Sequence, residues 1–169
     1  IPDSAKDADG FWYGDYYGVM SLEVNTDVVK NPPKEWVDLL KPEYKGQVAL
    51  AGDPRASSQA ISGVYAVALA NGGSLDNVQP GLDFFAKLNQ MGNFVPVIAK
   101  QGTLAKGETP IVLRWDYNAL ADVDSLKGNP KAGDPIVGFS PYSGGIEPAL
   151  IGTPAASHDE KLAKQIDDV

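Results

Sequence analysis

The hydrophobic pattern of this chain switches repeatedly between the period of a strand and that of a helix. Met20, Leu22 and Val24 alternate with Val19, Ser21 and Glu23, a period of two that predicts a strand. Further strands are predicted over 47–51, 94–99, 111–115 and 135–139, with helical spacing between most of them. This alternation is typical of an α/β domain, and we expect a mostly parallel central sheet flanked by helices.

Helix boundaries are marked by residues with known capping preferences. A helix predicted from Ser58 to Ala70 begins at the serine pair Ser57-Ser58 and stops at Asn71-Gly72-Gly73. Pro80 opens a second helix, in which we expect Leu82, Phe85 and Leu88 to form the buried stripe. Shorter helices are predicted over 36–40 and 117–126, and a last one from Ser157.

Composition narrows the classes of partner. The chain has 169 residues, about one domain, and no cysteine, so a disulfide framework and a thiolate metal site are excluded. A net charge of −8 argues against nucleic acid and anionic lipid as partners. No apolar run reaches the roughly 18 residues that a membrane-spanning helix needs.

The sequence offers no constellation for catalysis. His158 is the single histidine and lies in a predicted helix cap, so no nucleophile–base pair forms around it. The glycine-rich nucleotide-binding and hydrolase motifs are absent. We expect no enzyme activity, no cofactor and no metal site. The carboxylates outside the candidate sites are expected to be solvated charges: Asp7, Asp9, Asp15, Asp27, Asp122 and Asp124.

A polar turn, residues 53–58, joins the strand predicted over 47–51 to the following helix. A helix N-terminus at this point directs N–H groups and the positive end of its dipole toward the carboxyl edge of the sheet, where open α/β sheets bind ligands. Ser57 and Ser58 add hydroxyl groups, and Arg55 adds a positive charge. The alternative is that the serines only cap the helix.

A second polar cluster, residues 114–118, closes the apolar strand over 111–115. Trp115, Asp116 and Tyr117 are candidate ligand contacts at the sheet edge, although Asp116 could only cap a helix and Trp115 could belong to the core. Tyr16 and Tyr17 lie in an aromatic run interleaved with glycine. They are candidates for a cleft, and the alternative is packing where a linker meets the domain.

The run PPKEWVDLLKPEYKG, residues 32–46, followed by a strand and Asp53-Pro54, resembles the substrate-binding proteins of bacterial ABC transporters. Residues 17–27, 107–110 and 114–118 match as well, so the resemblance covers nearly the whole chain and is strongest over 17–120. It is a resemblance to the type II periplasmic class. Within that class, the chain most resembles the family-1 group of iron, polyamine, phosphonate and sugar-phosphate binders.

The resemblance implies a fold of two α/β lobes with the ligand in the cleft between them. This chain would be mainly the second lobe, a single lobe of the type II periplasmic-binding-protein fold. Residues 1–16 would be a linker from a missing first lobe, 17–144 the second-lobe domain, and 145–169 the return crossover and terminal helix.

The function implied is a solute-binding lobe whose parent, periplasmic or extracellular and lipid-anchored, feeds an ABC permease. Its ligand would be small and polar, such as a phosphonate, a sugar phosphate or a polyamine. The family's iron binders carry adjacent tyrosines where this chain has Asp116 and Tyr117, so iron coordination is not implied. An exposed cleft surface could also form a homodimer. Two alternatives stay open: a truncated or engineered single-lobe scaffold without a ligand, and an enzyme of flavodoxin-like architecture.

Overall fold

The computed structural model describes residues 3, 6–11, 13 and 18–126, and the backbone of two further strands at 136–140 and 149–151. The strands are β1 (Met20–Asn25), β2 (Val48–Leu50), β3 (Ile111–Trp115), β4 (Ile136–Ser140) and β5 (Ala149–Ile151). The α-helices are α1 (Ser58–Ala70), α2 (Gln79–Gln90), α3 (Gln101–Ala105) and α4 (Asp116–Leu126). Two short 3₁₀ helices occupy Trp36–Leu40 and Pro42–Tyr44.

The described strands form one sheet in the order β2-β3-β1-β4-β5. β2 and β3 pair in parallel, with Val48 opposite Ile111. β1 lies antiparallel between β3 and β4, so that Leu22 faces Leu113 on one side and Phe139 on the other, and β5 is antiparallel to β4. The α/β class is confirmed. The sheet is mixed where a mostly parallel one was expected, because an early strand occupies the centre and runs against both neighbours.

Both faces of β1 are buried, and they differ in chemistry. Met20, Leu22 and Val24 belong to a large apolar cluster with residues of β2, β3, α1 and α2. Ser21 and Glu23 alternate with them and are 0% exposed. A second, smaller apolar cluster contains residues of β2, β3, α3 and α4 and one residue of the segment before α3: Ala49, Val112, Leu104, Val123 and Ala99. The alternating pattern therefore marks a strand covered on both sides, with polar groups inside.

α2 packs on α1 through a face that coincides only partly with the predicted one. Phe84 and Leu88 are buried, but Leu82 is 46% exposed and Phe85 is only partly buried. The reason is Gly81, which is also buried and lets α2 approach α1 closely. A Cβ atom at Gly81 would lie 2.4 Å from the Val64 carbonyl oxygen. The buried face of α2 is therefore the one that carries Gly81, Phe84 and Leu88.

We expect Gly81→Ala to lower the free energy of unfolding by about 1–3 kcal/mol, because the added methyl group must push backbone away from a packed interface. Urea unfolding followed by circular dichroism measures the change. Gly102→Ala in α3 is the matched control, since no atom lies within 4 Å of the added Cβ. Equal effects of the two substitutions would show that α1 and α2 are not packed this closely.

The segment over 94–99 is not a strand, contrary to the prediction. It runs along the edge of β2, where the Val95 N–H donates to the Val48 carbonyl at 2.7 Å and the Ala99 N–H to the Leu50 carbonyl at 2.9 Å. Pro96 lies between these bonds and has no N–H to continue a ladder. The other predicted strands and the helices over 58–70 and 117–126 are confirmed, within a residue or two.

Some predictions fall on parts of the chain that the structure does not cover. The predicted helix from Ser157 and the domain boundaries at 16 and 144 lie outside the described residues. Within the described part, no helix combines the length and the apolar character that crossing a bilayer requires.

Candidate functional site

The two predicted polar segments meet at one edge of the sheet. β2 and β3 are parallel neighbours, so their carboxyl ends lie side by side, and α1 and α4 begin just beyond them. The Gln59 side chain links the two helices: its Oε1 accepts from the Trp115 N–H and from Asn118 Nδ2, both at 2.9 Å. The structure thus brings the α1 N-terminus and the end of β3 together.

Trp115 and Tyr117 form an aromatic platform at this edge. Their rings are stacked, with centroids 6.3 Å apart and planes 12° from parallel. Trp115 packs partly against the core, whereas Tyr117 is 41% exposed. Gly18 lies directly against Tyr117, since a Cβ atom there would be 2.6 Å from a ring carbon. The glycine allows the tyrosine ring to lie flat beside the entry to β1.

Asp116 joins the start of α4 to the residue before β1. Its Oδ1 accepts from the Val19 N–H and from the Tyr117 N–H, each at 2.9 Å, and its own N–H donates to the Val19 carbonyl at 2.9 Å. Among the described residues, none donates to the second carboxylate oxygen of Asp116. That oxygen can accept a further hydrogen bond.

The polar turn before α1, residues 53–58 (the α1 turn), is held mainly by hydrogen bonds of its own side chains. Ser57 is the N-cap of α1, and its hydroxyl accepts from the Ala60 N–H at 3.3 Å. The same hydroxyl retains a proton that it can donate. Ser58 is exposed. Arg55 pairs with Asp53 at 2.6 Å and is 89% exposed. Hydrogen bonds from Arg55 hold the pKa of Asp53 at about 2.

The remaining sequence-predicted site residues are not placed. Tyr16 and Tyr17 lie outside the described residues, and their role in a cleft stays a prediction. Nearby, Tyr13 is described and is 61% exposed. Over the described part of the chain, no three histidine, aspartate or glutamate side chains converge on a point where a metal ion could bind.

Sequence reasoning missed a buried charged cluster beside this edge. Arg114 was expected at the edge with residues 115–118, but it turns beneath α4, with Nη2 3.0 Å from Asp122 Oδ2 and Nε 3.5 Å from Glu23 Oε2. Asp122, expected to be solvated, is 6% exposed because it lies on the face of α4 that also carries the buried Ala119 and Val123. That helical spacing is the signal that could have found it. Burial raises the pKa of Glu23 to about 8, despite the nearby Arg114.

Comparisons with known proteins bear on the family and the fold of the chain. Residues 2–167 match the family described as bacterial extracellular solute-binding protein. The spermidine/putrescine-binding periplasmic protein of Escherichia coli (strain K12) is 29% identical over 139 residues, which cover 77% of this chain and 35% of that protein. The chain therefore corresponds to about a third of the length of this curated relative.

Solved structures show the same fold. The apo ferric ion-binding protein A of Pasteurella haemolytica aligns with a TM-score of 0.58 and 16% identity, covering 97% of this chain and 53% of that one. The periplasmic binding protein AfuA of Actinobacillus pleuropneumoniae, with fructose-6-phosphate bound, aligns with a TM-score of 0.54 and 20% identity, covering 95% and 53%. At these identities the likeness establishes the periplasmic-binding fold and not the ligand.

Proposed function

Because the chain belongs to the bacterial extracellular solute-binding proteins, we propose that it binds a small solute at the edge formed by Trp115, Asp116 and Tyr117. The observation that carries this proposal is the stacked ring pair, in which Tyr117 is 41% exposed, beside a carboxylate oxygen to which no described residue donates. Ligands of open α/β sheets lie beyond the carboxyl ends of the strands, which is where these residues are. The family is one of solute binders, and we propose no catalytic step.

The chemistry of this edge favours an amine as the ligand group. A cation over a Trp or Tyr ring gains about 0.5–2 kcal/mol, and a charge-assisted hydrogen bond to a carboxylate contributes about 1.5–3 kcal/mol. The one cation of the α1 turn, Arg55, is already paired with Asp53. A polyamine fits this combination, and the Escherichia coli relative is a spermidine/putrescine-binding protein.

An anionic ligand is the second candidate, and the start of α1 favours it. α1 has no acidic residue in its first turn, and Ser57 and Ser58 offer hydroxyl protons there. A phosphonate or a sugar phosphate would be held by these donors and by the helix dipole. Asp116 would then accept from ligand hydroxyl groups.

The complete gene product would supply the other half of the site. We propose a second lobe that closes over this edge in a hinge motion, a periplasmic or lipid-anchored extracellular location, and delivery of the ligand to an ABC permease. A lobe tested alone keeps only part of the contacts, so it should bind weakly. Where the edge is uncovered, its exposed rings could pair two copies of the chain.

The test is calorimetric titration of the complete gene product with spermidine and, separately, with fructose-6-phosphate. We expect Asp116→Asn to weaken spermidine binding by roughly 10- to 150-fold, since the charge is lost while an oxygen remains for the Val19 N–H. Asp76→Ala, in the loop after the opposite end of α1, is the control and should bind like wild type. Thermal unfolding confirms that the variants are folded.

The same titration separates the two ligand classes. If the ligand is anionic, Ser57→Ala or Ser58→Ala should weaken fructose-6-phosphate binding at least tenfold, and spermidine should not bind. Wild-type affinity in Asp116→Asn, Ser57→Ala and Ser58→Ala alike would show that the edge is not the binding site and that these residues serve only as caps.

A further inference from the structure

Three charged side chains are buried between the sheet and α4: Glu23 on β1, Arg114 on β3 and Asp122 on α4. The exposed fractions of their side chains are 0%, 15% and 8%. Glu23 lies opposite Val112 on β3 and opposite Gly138 on β4, so it occupies the centre of the sheet. The cluster connects three elements that are distant in the sequence.

The hydrogen-bonding groups of this cluster are not all satisfied if both carboxyl groups are ionised beside the one guanidinium. Both Glu23 oxygens, Asp122 Oδ2 and Arg114 Nε are buried and lack a hydrogen-bond partner among the described residues. Glu23 and Asp122 both lie against Arg114, and two ionised carboxylates have no proton with which to bond to each other. Two negative charges against one positive charge also leave an uncompensated buried charge, which is costly.

One added proton removes both problems. Asp122 is the better anion, because Arg114 Nη2 is 3.0 Å from it and Gln101 Nε2 donates to its other oxygen at 3.0 Å. Arg114 Nε is 3.5 Å from Glu23, a weaker contact. A protonated Glu23 can donate to Asp122, and the remaining charges of Arg114 and Asp122 then balance.

We propose that Glu23 and Asp122 share one proton beside Arg114 in the folded chain at neutral pH, forming a proton-dependent clamp that holds α4 against β1 and β3. This goes beyond the proposed ligand function, and its test needs no ligand. The clamp is also a positioning element, because α4 begins with Asp116 and Tyr117, and Asp116 bonds to Val19 just before β1.

The groups that face Glu23 support a response to pH. Arg114 and Asp122 are its charged neighbours in the described structure; α3 and β4 contain no charged residue. The other acids of α4 do not join the cluster, since Asp116 bonds to Val19 and Asp124 is exposed. Burial raises the pKa of Glu23 to about 8, in the same direction as the geometric argument.

The sign of the effect follows from linkage. The folded chain holds the proton to a higher pH than the unfolded chain, so stability is greatest below the ordinary glutamate pKa of about 4.3 and falls as pH rises toward the folded value. Over that window the folding equilibrium constant should fall by up to about tenfold per pH unit. Loss of the proton charges Glu23 and loosens the contact with α4.

The experiment follows the ¹³C shift of the Glu23 carboxyl carbon in this chain from about pH 4 to about pH 10, with Glu23→Gln used for assignment. We expect a midpoint several units above the ordinary glutamate value. The Trp115 indole signal should move with the same midpoint in wild type and stay constant in Glu23→Gln. Urea unfolding should show the pH-dependent loss of stability in wild type, and a much smaller one in Glu23→Gln.

Glu108→Gln is the control, because it removes an exposed carboxylate. This variant should show the same pH dependence of stability as wild type. A Glu23 midpoint near the ordinary value would overturn the proposal. So would the same pH dependence of stability in wild type and Glu23→Gln. Neither outcome would bear on ligand binding, which the titrations of Asp116, Ser57 and Ser58 variants test separately.

Discussion

Arg114→Met should lower the free energy of unfolding by about 3–5 kcal/mol near pH 7. The substitution keeps most of the side-chain volume but removes the cation 3.0 Å from Asp122. It leaves the buried carboxyl pair without a compensating charge, and the remaining charge is almost fully shielded from water. Urea unfolding of wild type and variant at the same pH measures the difference.

Acid should partly rescue this variant. As the pH falls, the second carboxyl of the pair takes up a proton and the buried charge disappears. The difference in the free energy of unfolding between the variant and wild type should therefore become smaller. Arg55→Met is the matched control, because Arg55 is 89% exposed and pairs with Asp53 in water. Its unfolding midpoint should equal that of wild type. If the two arginine variants behave alike, Arg114 is not buried among carboxylates.

Leu88→Ala should destabilise the chain by about 2–5 kcal/mol, since it leaves a cavity in the main apolar cluster. Leu88 is 0% exposed and belongs to the main core cluster. Chemical unfolding monitored by circular dichroism gives the value.

Leu82→Ala lies in the same helix and makes the same chemical change at a position that is 46% exposed. It should cost less than about 0.5 kcal/mol. A larger cost for Leu82→Ala than for Leu88→Ala would mean that α2 is rotated, with Leu82 facing the core in place of Leu88.

Local signals were sufficient for much of the fold. Helix ends were predicted from the serine pair at the start of α1, the glycines after α1 and Pro80 in α2, and the structure confirms them. The apolar run of β3 was also correctly predicted as a strand. These features depend on residues adjacent in the chain, where capping and periodicity act directly.

Features that depend on distant contacts were not predictable in this way. The central antiparallel position of β1 is set by pairing with β3 and β4, which follow about 90 and 110 residues later. The burial of Asp122 depends on Arg114 and Glu23 meeting it from two other elements. The face of α2 depends on Gly81 meeting the backbone of α1.

The candidate site could also be predicted only in part from the sequence. Parallel pairing of β2 and β3 brings their carboxyl ends together, and five of the predicted residues lie at or after these ends: Ser57, Ser58, Trp115, Asp116 and Tyr117. The stacking of Trp115 on Tyr117 and the bond from Val19 to Asp116 needed the folded chain. Arg114 was expected at the same edge, whereas its side chain lies beneath α4, as the alternation of side chains along β3 would have indicated.

The most direct test of the binding edge is a spermidine titration of this chain, labelled with ¹⁵N, followed through its tryptophan indole signals. The Trp115 signal, assigned with Trp115→Phe, should shift progressively at millimolar spermidine, and Asp116→Asn should reduce the shift. Trp36 is 5% exposed in the core and serves as the internal reference that should not move. A Trp115 signal that stays as fixed as that of Trp36, with spermidine and with fructose-6-phosphate, would contradict the proposed site.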